Sequence, residues 1–154
     1  SLFFLRLSLI CEHKSRLRCF IKLSNGGLEF MREHELWLSY AQNDLKIAKI
    51  SYQEDAILSS AFFLTQQCAE KALKAFLIFH NKPIRRIHDL VEILKECMKI
   101  DPDFIKLRKD AEGLNPYIVT YRYPDSALPF PDKMSLWASI LEAERILDFV
   151  LQRI

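Results

Sequence analysis

Asp55-Ala56-Ile57-Leu58-Ser59-Ser60-Ala61-Phe62-Phe63-Leu64-Thr65-Gln66-Gln67-Cys68-Ala69-Glu70-Lys71-Ala72-Leu73-Lys74-Ala75-Phe76-Leu77-Ile78-Phe79 is the most apolar long stretch of the chain. Ile57, Ala61, Leu64, Cys68, Ala72, Ala75 and Phe79 form one line at helical spacing; Phe62, Ala69, Leu73 and Phe76 form a second. Together the lines cover more than half of the circumference, so the spacing predicts a central helix packed on several sides. The polar residues Gln66, Gln67, Glu70, Lys71 and Lys74 fall within one sector of roughly 140°, at about 100° per residue. That sector reads as a solvated helix face, with Glu70 and Lys74 as a favourable i,i+4 pair.

Upstream, Trp37, Tyr40, Ala41, Leu45, Ala48 and Tyr52 mark an amphipathic helix over Glu33 to Tyr52. Asp44 falls inside its apolar stripe, where a carboxylate needs a partner, and the partner is expected from another helix. Downstream, Asn81-Lys82-Pro83 ends the central helix and Ile84-Arg85-Arg86-Ile87 forms a basic connector. A third helix starts near His88-Asp89 and buries Leu90, Ile93, Leu94, Cys97 and Met98. A fourth opens with Asp101 as N-cap and Pro102 at its first position, and Gly113-Leu114-Asn115-Pro116 breaks it. A further turn or two carries Tyr117 and Tyr121 on one face before Pro124. Pro129 and Pro131 stiffen the loop from Ser126 to Pro131. The last helix runs from Asp132 to Arg153. Long helices joined by short loops predict an all-α fold, an antiparallel up-and-down bundle of four to five helices. No alternating strand pattern competes.

At 154 residues the chain is one domain on length, long enough for a core without staples. Its 3 glycines exclude phosphate-cradling glycine loops, which need several. The 4 cysteines form no CxxC pair and no zinc-ligand spacing. A reduced, cytoplasmic protein with no metal and no cofactor is the expectation. Residues 1–30 carry five bases (Arg6, Lys14, Arg16, Arg18, Lys22) against two acids (Glu12, Glu29), which leaves the body nearly neutral. Such a body does not look like a strongly basic nucleic-acid binder. Leu2 to Ile10 is interrupted by Arg6 and too short to span a bilayer. A membrane-surface helix is the alternative there, but no membrane partner is expected. Glycine codons are purine-rich, so Gly26-Gly27 shortly before Met31 resemble a ribosome-binding site read as protein. The expected division is therefore an upstream extension, 1–30, and a helical domain, 31–154.

Chemistry concentrates in Tyr117-Ile118-Val119-Thr120-Tyr121-Arg122-Tyr123-Pro124-Asp125. Arg122 supplies a planar fork suited to phosphate, and Tyr117, Tyr121 and Tyr123 offer stacking faces. The plainer alternative is that Arg122 pairs with Asp44 or Glu70 and the tyrosines pack. His88-Asp89 reads as a helix cap before it reads as an acid–base pair. His34 and His13 read as surface residues. Lys71 and Lys74, beside Gln67, could bind phosphate or simply be solvated.

Four ordered blocks resemble the HEPN domain family. They are Trp37-Leu38-x-Tyr40-Ala41-x-x-Asp44-Leu45-x-x-Ala48, then Ala61-Phe62-Phe63-x-x-Gln66-Gln67-x-Ala69-Glu70-Lys71-x-Leu73-Lys74-Ala75, then His88-Asp89-Leu90 and Tyr121-Arg122-Tyr123-Pro124-Asp125. The resemblance implies a helical bundle that forms a homodimer and works beside a minimal nucleotidyltransferase in a toxin–antitoxin-like pair. Many members are metal-independent ribonucleases with an Arg followed by four to six residues and a His. Here Arg122 matches the arginine, but no histidine follows it. Loss of that general base favours binding over cutting. The resemblance thus implies a nucleotide or RNA site built on Arg122, Tyr121 and Tyr123, with Lys71 and Lys74 as further phosphate ligands. Asp44, Gln67, Glu70 and Tyr117 would support it. The alternatives are a divergent ribonuclease using His88 and a non-catalytic dimerisation module.

Overall fold

The computed structural model describes residues 19–24, 27–54, 58–122, 127, 129 and 132–154. Five α-helices are present among them: α1 (Glu33–Gln53), α2 (Leu58–Phe79), α3 (Leu90–Met98), α4 (Arg108–Leu114) and α5 (Lys133–Leu151). Side-chain partners fix their directions. Trp37 meets Lys74 and Tyr40 meets Lys71, so α1 and α2 run antiparallel. Lys49 pairs with Glu144 and Tyr52 stacks near Trp137, so α1 and α5 are antiparallel too. Asp101 meets Arg153 and Asp110 meets Arg145, which sets residues 101–114 antiparallel to α5. The result is the expected all-α up-and-down bundle.

The core forms around α2. Phe62, Phe76 and Phe104 are its largest fully buried side chains, and the Phe76 and Phe104 rings lie 4.4 Å apart. Cys68 and Cys97 are free and buried, and burial pushes both thiols well above the usual range. Caps fall where short polar side chains precede helices. Asp89 accepts from Val91 and Glu92 N–H, and Asp132 accepts from Ser135 N–H. Glu35 reaches back to accept from Arg32 N–H at 2.7 Å, satisfying a donor at the start of α1.

Several expectations change. The fourth helix opens as a 3₁₀ segment, Pro102–Leu107, before α4. Side chains three apart eclipse in that geometry, so Phe104 and Leu107 both turn into the core. The helix also continues through Gly113 to Leu114, and a 3₁₀ turn, Asn115–Ile118, follows. Strands do occur: β1 (Cys19–Ser24) and β2 (Gly27–Arg32) pair antiparallel with Ser24 opposite Gly27 and Phe20 opposite Met31. The two intervening residues are Asn25-Gly26, a dipeptide that favours tight hairpins. This pairing crosses the expected boundary at Met31. His34 is buried rather than superficial, 8% exposed, with Phe79 edge-on at 5.0 Å. The start of α1 packs there against the end of α2. The run Leu2–Ile10, with His13 and Gly26, lies outside the described residues. No described helix is long and apolar enough to cross a membrane.

Candidate functional site

Most of the polar sector of α2 is buried, with Gln67 and Lys71 partly exposed. Gln66 is fully buried, Glu70 is 4% exposed and Lys74 is 5% exposed. Charges at that depth need partners, and each has one. Lys74 Nζ donates to Glu70 Oε1 at 2.8 Å and lies 6.0 Å from the Trp37 ring centroid. Lys71 Nζ donates to Asp44 Oδ2 at 2.5 Å, which supplies the interhelical partner that Asp44 required. Gln66 donates to the His88 carbonyl oxygen at 3.1 Å, and Gln67 donates to Gln66 Oε1 at 2.8 Å. A polar seam therefore joins α1, α2 and the residue before the α3 cap. Lys71 and Lys74, expected as phosphate ligands, are committed to carboxylates of the protein itself.

His88 sits at the outer edge of this seam. Its Nδ1 lies 3.0 Å from Glu70 Oε1 and 3.2 Å from Oε2, while its side chain is 61% exposed. A neutral ring that donates from Nδ1 to the buried carboxylate presents Nε2 as an acceptor. Asp89 is the N-cap of α3; the His88 side chain does not share that work.

The Tyr117–Arg122 segment meets α2 one turn earlier. The Phe62 ring contacts Tyr117 at 4.7 Å and Tyr121 at 5.0 Å, and the two tyrosines stack at 6.3 Å with 18° between planes. Tyr121 has φ of +63°, a left-handed conformation that is uncommon for a bulky residue. The next residue, Arg122, holds its guanidinium 4.8 Å from the Phe63 ring centroid. Phe63, Gln67, Glu70 and Lys74 share one stripe of α2, and Phe63 precedes Glu70 by about 10 Å of helix rise. Leu90 N–H donates to Asn115 Oδ1 at 2.8 Å, which ties the start of α3 to the Tyr117 region. Arg122, Tyr117, Tyr121 and His88 thus border one face of α2. Tyr123, with Pro124 and Asp125, lies outside the described residues. Sequence reading named His88 as a catalytic alternative but did not foresee its contact with Glu70; 18 positions separate the pair, beyond any local pattern.

Among the described residues no group of three His, Cys, Asp or Glu side chains is placed to hold a metal.

The HEPN domain model matches residues 34–154. The structure of TT1696 from Thermus thermophilus is similar, with 26% identity, a TM-score of 0.68, and coverage of 80% of this chain and 100% of that one. ST0689, an archaeal HEPN homologue, has 29% identity and a TM-score of 0.64 over 80% of this chain and 98% of its own. A HEPN domain protein from Thermotoga maritima shares the fold at 23% identity and a TM-score of 0.60, over 77% and 99%. No curated protein matches.

Proposed function

The chain belongs to the HEPN domain family, and from that premise we propose that it is a binding module for a nucleotide or a nucleotide-bearing partner. The observation that supports this most is Arg122, exposed and stacked over Phe63 beside the Tyr117–Tyr121 pair. A left-handed residue immediately before it turns the chain sharply, and strain of that kind persists where neighbouring structure enforces it. The guanidinium fork takes phosphate, and the tyrosine faces take a base. Tyr123 follows Arg122 directly and remains part of the proposed site. Lys71 and Lys74 act through the scaffold, since both charges are already matched. The module works as a homodimer beside a minimal nucleotidyltransferase in a toxin–antitoxin-like pair. Calorimetry with ATP and other nucleotides tests the site. Arg122→Ala is expected to weaken binding by about tenfold or more, the scale of one charge-assisted contact. Equal heats in both proteins, or none in either, sink the proposal.

A second reading, RNA cleavage without metal, is favoured by one observation, the exposed imidazole held on buried Glu70. His88 Nε2 would take the 2′-hydroxyl proton, O2′ would attack phosphorus, and the P–O5′ bond would break as the 5′-oxygen takes a proton from water. A 2′,3′-cyclic phosphate is the product, and Arg122 would hold the phosphate oxygens. Cleavage of RNA in chelator that disappears in His88→Ala decides for this reading.

A further inference from the structure

A cavity of about 210 Å³ lies between the end of α2, the connector 82–87 and α3, away from Arg122. We propose that it is a second ligand site, for a small organic anion with a compact apolar body. Its wall carries four cations, Lys74, Lys82, Arg85 and Lys99, against one carboxylate, Glu96. Two of the cations are matched already. Lys74 is buried on Glu70, and Lys99 pairs with Glu96 at 2.7 Å. Lys82 and Arg85 are exposed at the rim, and no described carboxylate forms an ion pair with either. The pocket thus keeps an excess of positive charge of the kind that attracts an anion.

The backbone explains why this charge gathers there. Asn81 adopts φ of +56°, its N–H donates to Ile78 O, and Lys82 N–H donates to Leu77 O, each at 2.9 Å. This Schellman closure satisfies the last carbonyls of α2 with backbone donors. The cationic side chains that follow are therefore not consumed in capping the helix. Pro83 then carries the chain across to Arg85 and Ile87. The floor is apolar: Leu77 and Ile93 are 4% and 2% exposed in the whole protein, and Ile87 and Ile100 are half-buried around them. Apolar floor and cationic rim together select a ligand with both properties.

Volume narrows the class. Pockets that enclose drug-sized ligands run from about 300 Å³ upward, so a nucleoside triphosphate is too large to be enclosed here. A monoaryl phosphate or monoaryl carboxylate fits, its charged oxygens on the Arg85 fork and Lys82, its ring on the isoleucines. This site shares neither Arg122 nor the tyrosines with the nucleotide face, so each proposal fails on its own measurements.

The test is titration of the full chain with phenyl phosphate, benzoate and inorganic phosphate, followed by calorimetry and by the methyl resonances of Ile93 and Ile100. The expected result is saturable binding of an aryl anion, at least about tenfold tighter than inorganic phosphate, with both methyls shifting. Phenyl phosphate binding more tightly than benzoate assigns a phosphate ligand, and the reverse assigns a carboxylate; either supports the site. Lys82→Ala/Arg85→Ala, two exposed changes, is expected to weaken binding tenfold or more, and Arg122→Ala to leave it unchanged. No saturable binding, equal affinity for inorganic phosphate, or indifference to the double substitution overturns the proposal. So does loss of binding in Arg122→Ala.

Discussion

One helix carries two polar neighbourhoods of opposite character. Along α2, the seam of Gln66, Glu70, Lys71 and Lys74 is closed by partners from α1 and from His88. One turn earlier, half-buried Tyr117 and Tyr121 pack on Phe62, and the exposed guanidinium of Arg122 lies over Phe63. The seam matches charge with charge at depth, where an unmatched group is costly. The aromatic step holds its charge over a ring at the surface, where water already solvates it. Charges buried on one another are scaffold; an exposed guanidinium stays within reach of a ligand.

The largest expected effect lies in the seam. Glu70→Ala leaves Lys74 buried without a counter-ion, and should cost about 3–5 kcal/mol of stability. Replacing both members, as Glu70→Leu with Lys74→Met, should recover most of that loss, because no orphaned charge remains. Urea unfolding of the two variants gives the comparison directly. If the single change costs no more than the double one, the seam is not closed in solution.

A smaller effect lies at the step. Tyr121→Ala removes a half-buried ring from Phe62 and should cost about 1–3 kcal/mol. Tyr121→Gly loses the same ring but tolerates positive φ, so it should be more stable than the alanine variant by about 1 kcal/mol. That order is the reverse of the one found inside helices. Alanine proving the more stable would mean that Tyr121 is not held left-handed.

His34 sharpens the contrast from another side. It is buried edge-on against Phe79, whereas His88 rests on a carboxylate. Its pKa is lowered, by burial first and by the nearby Arg32 charge second. The unfolded chain therefore binds the proton more tightly than the native one. Stability is expected to fall as pH drops through the ordinary histidine value of 6.5 towards the lowered native value. Melting temperatures at pH 7.5 and pH 5.5 should differ less in His34→Phe than in the parent, and an unchanged slope would remove His34 as the cause.

The helices and their caps were legible because they are local. Periodicity marks α1, α2 and α5, and Asp89, Asp101 and Asp132 stand at the positions that short acceptors favour. Asp44 inside an apolar stripe even signalled a partner on another helix. What faces a polar sector is not local. A helical wheel places Glu70 and Lys71 but cannot show that His88 and Asp44, 18 and 27 positions away, close over them. The hairpin did have a local signal, Asn25-Gly26 between short runs, but six-residue strands offer few positions for alternation to emerge. The division of the chain at Met31 remains a proposal, supported by a family match that begins at residue 34.

The smallest stability effect belongs to the residue with the largest proposed role. Arg122 stacks on Phe63 at an exposed position, a contact worth about 0.5–1 kcal/mol. In a chain of this size the loss of that contact alone corresponds to a shift of roughly 1–4 °C in Tm. Were Arg122 scaffold in the manner of Lys74, its loss would cost several times more and leave nucleotide binding untouched. Were it a ligand group, binding would fall about tenfold while Tm barely moved. Measuring Tm and nucleotide affinity on the same Arg122→Ala sample separates the two outcomes, because scaffold and site predict opposite rankings of the two losses.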